Sequence, residues 1–308
     1  MSYIIGIDIG GTFVKGLVLK DGKSVFEADI PTVTGEGLAD CVEELIEKLV
    51  LGSGAVFSQV VGVGVGCPGV IASDTGTVVR AANLNLENYP LKAILEEKLG
   101  IAVRVCNDAN AAALGEARFG AGKGYSDSVL ITLGTGVGGG IVLGGKLFEG
   151  NKSAGAEIGH MVIERGGYRC TCGRRGCFEV YCSARALAKM TKEAMEDNTA
   201  TAMWKNYTYE SADGRAAFEY MDTDPTAKAV IDRYFKYLAC GVANIANIFR
   251  PQVIMIGGGV AAQGSRLIRP LQTLVEREIF VPEYAPVEIK CAELGNRAGA
   301  YGAAALFL

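Results

Sequence analysis

The densest chemistry in the chain is Cys170-x-Cys172-x4-Cys177, with nine residues between His160 and the first cysteine. Three thiolates and one imidazole make a closed tetrahedral Zn²⁺ site. Gly173 and Gly176 let the backbone turn between the sulfurs, and Arg174 and Arg175 offset the excess thiolate charge. The competing interpretation is three unrelated cysteines in a redox-active loop. The other six cysteines show no ligand spacing and suit small core positions; Cys182 lies nearby as a spare thiol outside the ligand set. His160 is the sole histidine. If it holds zinc, no imidazole is left as a general base, and a carboxylate must serve. Asp108 is the candidate. It follows a buried strand and opens an Ala-rich helix, so its position alone favours a helix N-cap.

Two glycine turns suit phosphate. Gly10-Gly11-Thr12 and Gly134-Thr135-Gly136 each join two apolar strands, and their N–H groups and threonine hydroxyls can face a phosphate chain. Asp8 stands close enough to the first turn to hold Mg²⁺ through water. Taken singly, either is an ordinary β-turn. Gly64 to Gly69 and Gly134 to Gly139 both satisfy G-x-G-x-x-G, but extended segments follow them, whereas a dinucleotide loop needs a helix. No Walker A loop occurs.

The elements that must carry these residues alternate between strand and helix, as an α/β fold requires. Ile4 to Ile9, Phe13 to Leu19, Val60 to Val65, Ala102 to Cys106 and Val253 to Ile256 read as strands. Helices are expected at Leu38 to Leu51, Leu91 to Leu99, Asp108 to about Gly120, from Ala184, at Ala227 to Phe249 and from Ala298, with a polar stretch from Asn198 to Asp224. Residues 4–12 and 16–19 match residues 128–136 and 140–143 at a constant offset of 124. The echo implies a duplicated, bilobal protein with a cleft between its lobes.

The chain has 308 residues, a net charge of −4 and 49% hydrophobic residues, which excludes disorder and argues against a nucleic-acid-coating protein. Glycine, at 42 residues, is about twice its usual share. Two long uncharged stretches, Leu49 to Ser73 and Ser128 to Gly145, read as glycine-punctuated buried strands rather than membrane spans. No signal peptide precedes the first strand, and nine unpaired-looking cysteines point to a reducing cytoplasm.

The combination of Asp8-Ile9-Gly10-Gly11-Thr12, Asn107-Asp108-Ala109-Asn110 through Glu116, Leu133 to Gly139, Glu157-Ile158-Gly159-His160 and the cysteine motif resembles the ROK family of bacterial sugar kinases and related repressors. The resemblance runs from residue 4 to about residue 305. It implies the α/β actin/hexokinase-like (ribonuclease H-like) fold, with a small lobe of residues 1–115 plus 298–308. Residues 116–297 would form a large lobe bearing the zinc loop, 160–177, and substrate would close the interlobe cleft.

By the same resemblance, ATP phosphorylates a hexose at its 6-hydroxyl, with Asp108 as general base. Glucose is the first expectation; N-acetylglucosamine, N-acetylmannosamine, fructose and allose are alternatives. Asn83, Asn107, Glu157, His160 and Glu179 would contact the sugar, although Asn83-Leu84-Asn85-Leu86 departs from the family's usual Asn-Leu-Pro. Nucleotide and Mg²⁺ would meet Asp8, Gly10, Gly11, Thr12, Lys15, Gly134, Thr135 and Gly136, with Gly257, Gly258 and Gly259 by the adenosine. Zinc on His160, Cys170, Cys172 and Cys177 would be structural. A non-catalytic sugar sensor is the rival. The repressor branch adds an N-terminal winged helix, for which the first hairpin at Ile4 leaves no room. A homodimer or dimer of dimers is expected, with neither nucleic acid nor membrane as partner.

Overall fold

The repeat at an offset of 124 folds into two sheets of one design. The computed structural model describes residues 2–308. The first sheet starts with an antiparallel meander, β1 (Tyr3–Ile9), β2 (Phe13–Lys20) and β3 (Lys23–Pro31). Helix α1 (Leu38–Ser53) then crosses to β4 (Val60–Cys67), which pairs parallel with β1. A small sheet of β5 (Val70–Ala72), β6 (Thr77–Ala81) and β7 (Leu86–Tyr89) precedes α2 (Leu91–Leu99). Strand β8 (Val103–Asn107) completes the first sheet beside β4, in the order β3-β2-β1-β4-β8, and runs directly into α3 (Asp108–Phe119).

The second sheet repeats the plan. A meander of β9 (Ser128–Leu133), β10 (Val137–Leu143) and β11 (Lys146–Phe148) is followed, after helices α4 (Glu179–Cys182), α5 (Ala184–Asp197), α6 (Gly214–Tyr220) and α7 (Pro225–Phe249), by β12 (Val253–Gly257). Helix α8 (Ser265–Glu278) leads to β13 (Glu288–Cys291), parallel to β12, and α9 (Ala298–Ala305) ends the chain. The order is β11-β10-β9-β12-β13.

Periodicity accounts for most of these elements. In α1 the stripe Leu38, Val42, Leu45, Ile46 and Leu49 is fully buried. β1 is buried along nearly its whole length, which is why it reads as a continuous apolar run. Three features differ from the sequence expectation. The uncharged stretch from Leu49 is helical up to Ser53 and becomes a strand only at Val60. The polar stretch 198–224 contains α6, capped by the Asp213 carboxylate, which accepts the Arg215 N–H at 2.8 Å. The edge strand β3 and helix α8 were not expected. β3 is largely exposed and so lacks an apolar run, while α8 buries only Leu267, Leu271 and Val275 and carries Pro270. Among the described residues, no helix is long and apolar enough to cross a membrane, and all nine cysteines are free.

The chain divides into two compact units, residues 1–130 with 140–156 and 293–308, and residues 131–139 with 157–292. Segments 116–130 and 140–156, assigned to the large lobe from sequence, fall in the first unit. The reason is local: α3 runs on to Phe119, Gly140 packs against Ala113, and Ser73 Oγ donates to Glu149 Oε1 at 2.6 Å.

Within the first unit α9 is built from alanine and glycine apart from Tyr301, and it lies directly on β1, β4 and α3. A Cβ on Gly6 or Gly64 would overlap the carbonyl oxygens of Ala300 and Ala303, and one on Gly302 would overlap that of Ala111. Backbone meets backbone here, with no flexible side chain to yield. Gly302→Ala should therefore destabilise the protein by about 1–3 kcal/mol, as overpacking does. Gly11→Ala, where a Cβ meets nothing within 4 Å, should change it by less than about 0.5 kcal/mol. Paired thermal melts would show the contrast.

Candidate functional site

In the first unit the junction of β8 and α3 sets Asn107 and Asp108 side by side. The N-cap is Asn107: its Oδ1 accepts the N–H groups of Ala109 (2.9 Å) and Asn110 (3.2 Å), and its Nδ2 donates to the Gly69 carbonyl at 3.0 Å. The capping role that position alone suggested for Asp108 thus belongs to its neighbour. Asp108, the first residue of the helix, accepts the Ala109 N–H on Oδ1 at 2.9 Å. Asn107, expected to touch sugar, has its oxygen committed to the helix and one amide hydrogen committed to Gly69. Asn83 lies apart from this junction in sequence, exposed on a single turn at Ala82–Leu84.

Asp8, near the end of β1, shares this region. Gly66 of β4 is flanked by both acids: a Cβ there would lie 3.7 Å from the Asp8 carboxylate and from the Asp108 Cα. Burial, then the Asp108 charge, pushes the Asp8 carboxyl up from 3.8 to about 6, against the opposing pull of Lys15 and Arg297. Burial also raises Asp108, with the Ala109 N–H pulling the other way. Lys15 sits directly opposite Asp8 in the β1–β2 ladder and reaches the Asn296 carbonyl at 3.4 Å. Two desolvated acids in one place can take up a proton or share a cation.

The first glycine turn is pinned from β3's far end. Gly10 N–H donates to Phe13 O (3.0 Å), and Thr32 holds the turn through its hydroxyl on Gly10 O (2.7 Å) and its N–H on Thr12 O (2.9 Å). Gly11 and Thr12 are left exposed.

In the second unit the matching turn is braced by Glu179. Gly134 N–H donates to Gly136 O at 3.0 Å, and Gly134 O accepts the Ala184 N–H at 2.8 Å. Glu179 Oε2 accepts the Val137 N–H at 3.1 Å, and a Cβ on Gly136 would overlap that oxygen. Thr135 is exposed at the tip. Gly258, with φ +80°, comes against the Leu133 carbonyl, so Gly257-Gly258-Gly259 abuts the end of β9. Glu157 is exposed and begins the turn Ile158–His160.

The cysteine loop closes on itself. His160 Nδ1 lies 3.7 Å from Cys170 Sγ, Cys172 and Cys177 Sγ are 3.6 Å apart, and all four ligand atoms lie within 4.8 Å of one another. A zinc tetrahedron with Zn–S near 2.3 Å has S···S edges of about 3.8 Å. A disulfide would need about 2.05 Å. The donor set fits zinc, and Cys182 is outside it. The Arg174 N–H holds the exposed Cys172 thiol below its ordinary range, whereas burial pushes that of Cys177 up to about 12. A metal held there would therefore displace a proton from Cys177. Glu179 Oε1 lies 3.8 Å from Cys170 Sγ, which couples the cluster to the glycine turn through a single side chain.

A cavity of about 230 Å³ beside Gly259 was not foreseen. Leu187, Phe218 and Val260 give it an apolar wall, and Asp213, Arg215 and Gln263 edge it. Its residues come from α5, α6 and the segment after β12. Only the glycines of the last carried a signal in the sequence, because α6 is short and lies in a polar stretch.

The ROK family model matches residues 4–308. A glucokinase of Halalkalibacterium halodurans is 37% identical over 97% of this chain and 93% of its own length. A xylose repressor of Caldicellulosiruptor bescii is 32% identical over 99% of this chain and 78% of its own. Among solved structures, a ROK family glucokinase from Streptomyces griseus in complex with glucose and AMPPNP has a TM-score of 0.80 at 34% identity, covering 99% of both chains.

Two outcomes follow from the site geometry. The Asp8 carboxyl favours its neutral form in the fold, so it withdraws stability as pH rises from about 4 to about 6, to a total of about 3 kcal/mol. Asp8→Asn should make the ligand-free protein more stable by about that amount at pH 8, and by about half of it at pH 5, in urea titrations. The purified protein should also hold one zinc per chain. Cys172→Ser should lose the metal and melt at a lower temperature; zinc-free protein with an unchanged melting curve would overturn the assignment.

Proposed function

The chain belongs to the ROK family, and from that premise we propose that it transfers the terminal phosphoryl group of ATP to the 6-hydroxyl of a hexose, glucose first. The observation that carries this reading is the separation of duties at residues 107 and 108. Asn107 carries the cap of α3, and Asp108, whose Oδ1 accepts the Ala109 N–H, would take the proton of the attacking hydroxyl on its other oxygen. Its desolvation raises its affinity for that proton.

The remaining residues position and neutralise, which is most of what phosphoryl transfer asks of a protein. The N–H groups and hydroxyls of Gly10-Gly11-Thr12 and Gly134-Thr135-Gly136 hold phosphate oxygens, with Lys15 contributing charge. Mg²⁺, when bound, neutralises phosphate charge, and Asp8 would hold it through water; the mutual repulsion of Asp8 and Asp108 favours a cation there. Gly257 and Gly258 lead into Gly259, which borders the apolar cavity that receives the adenosine. Glu157, Asn83, the remaining amide hydrogen of Asn107 and the outer nitrogen of His160 meet sugar hydroxyls. Glu179 joins them while bracing the second turn. His160, Cys170, Cys172 and Cys177 would hold zinc with all four positions filled, where it would shape the loop rather than activate water.

The repressor relatives motivate one rival, a sugar sensor that binds without turnover. A coupled ADP-release assay over glucose, N-acetylglucosamine, N-acetylmannosamine, fructose and allose separates the two, since a sensor binds sugar and releases no ADP. Asp108→Asn should lower kcat by roughly 10²–10⁴, the scale of general acid–base catalysis, with nucleotide binding kept. Near-normal turnover would remove Asp108 from the chemistry. Cys172→Ser should weaken sugar binding most and ATP binding less, since only Glu179 passes the loosened loop on to the second turn.

A further inference from the structure

Between the cysteine loop and the first turns of α5 lies a second cavity, of about 250 Å³, which shares Thr135 and Glu179 with the site above and adds three basic residues that have no role there. Its walls are basic. Arg169 enters from the loop, and Arg185 and Lys189 enter from α5 at i, i+4, so both reach out from one helix face. Among the described residues neither arginine forms an ion pair. The ion pair of Lys189 is an exposed one, to Glu193 at 3.6 Å, of the kind worth little in water. The one acid on the lining is Glu179, whose Oε2 already accepts the Val137 N–H.

Tyr168, on the lining, is held by several contacts. Tyr168 stacks on Tyr181 with ring centroids 5.2 Å apart, its N–H donates to the Tyr181 hydroxyl at 2.9 Å, and Arg233 donates to its own hydroxyl at 3.2 Å. Lys189 lies over the same ring, 4.8 Å from its centroid. The hydroxyls of Thr171 and Thr135 also line the cavity.

We propose that this cavity binds a phosphate-type oxyanion, separately from the nucleotide phosphates. Two guanidinium forks and an ammonium around one space match a doubly charged oxyanion, because each fork can donate two parallel hydrogen bonds to it. The hydroxyls supply further donors to oxygen. The volume exceeds that of several waters, at about 30 Å³ each, and has room for more than a single phosphate group. Two sources carry this chemistry: a free inorganic anion, or the phosphate of a sugar ester. An anion held there lies against Thr135, so it opposes nucleotide phosphates at the adjoining turn and raises the KM for ATP rather than lowering kcat.

The test is equilibrium dialysis of the whole chain against labelled inorganic phosphate, pyrophosphate and glucose 6-phosphate, repeated with Arg169→Gln, Arg185→Gln and the double variant. Affinity for at least one probe should fall by about tenfold or more in the double variant and weaken as salt rises. A larger loss for pyrophosphate identifies an inorganic anion as the occupant, and a larger loss for glucose 6-phosphate identifies a sugar ester. Dialysis needs no turnover, so its result stands apart from the kinase reading. No binding of any probe, or binding that the double variant leaves unchanged, overturns the proposal. In turnover assays the double variant should also lose the anion's effect on the KM for ATP while its own KM for ATP without anion stays near the parent value.

Discussion

The first unit depends on how closely α9 can lie on the sheet beneath it. Where Gly6 and Gly64 face Ala300 and Ala303, and Gly302 faces Ala111, main chain packs on main chain. Gly299 continues the same contact onto the Asp8 carboxylate, where a Cβ would lie about 2.5 Å from its carbon. The last helix of the chain therefore forms one wall around a residue near its beginning. Dense packing of this kind has no slack, since interiors tolerate little added volume. It removes water from Asp8 and is a direct cause of its raised carboxyl.

Glu116 reinforces that arrangement. It is fully buried near the end of α3, and its carboxylate accepts the N–H groups of Ala121 (3.0 Å), Glu293 (3.1 Å) and Leu294 (2.7 Å). The same residue so ties the C-terminal end of α3 to the segment that launches α9. Asn296 and Arg297 follow within that segment, one receiving Lys15 and the other pairing with Glu27 and Asp29. A buried carboxylate is tolerable only when its lone pairs are occupied, and three backbone donors do so here.

The second unit uses a single acid for a comparable purpose. Glu179 reaches the main chain after the Gly134–Gly136 turn with one oxygen and the sulfur of Cys170 with the other. A metal that fixes the cysteine loop would therefore also fix the turn. The physical link is short, two contacts through one side chain, and it makes the loop's order relevant to whatever the turn binds.

Composition and spacing alone were enough to read several things. The offset of 124 gave two strand–turn–strand units because each copy keeps its apolar runs and glycines, and those are local properties. The cluster of His160, Cys170, Cys172 and Cys177 was visible because ligand spacing within a loop is a sequence feature, and the sole histidine narrowed the candidates for a base. Tertiary structure decided the rest. That Asn107 and not Asp108 caps α3 depends on which side chain points back over the helix end, and both residue types are good caps. That Glu179 braces a turn 42 residues away, that Arg169, Arg185 and Lys189 share one cavity, and that α6 walls another are facts of packing. They follow from long-range contacts, and no periodicity along the chain encodes which distant surfaces will meet.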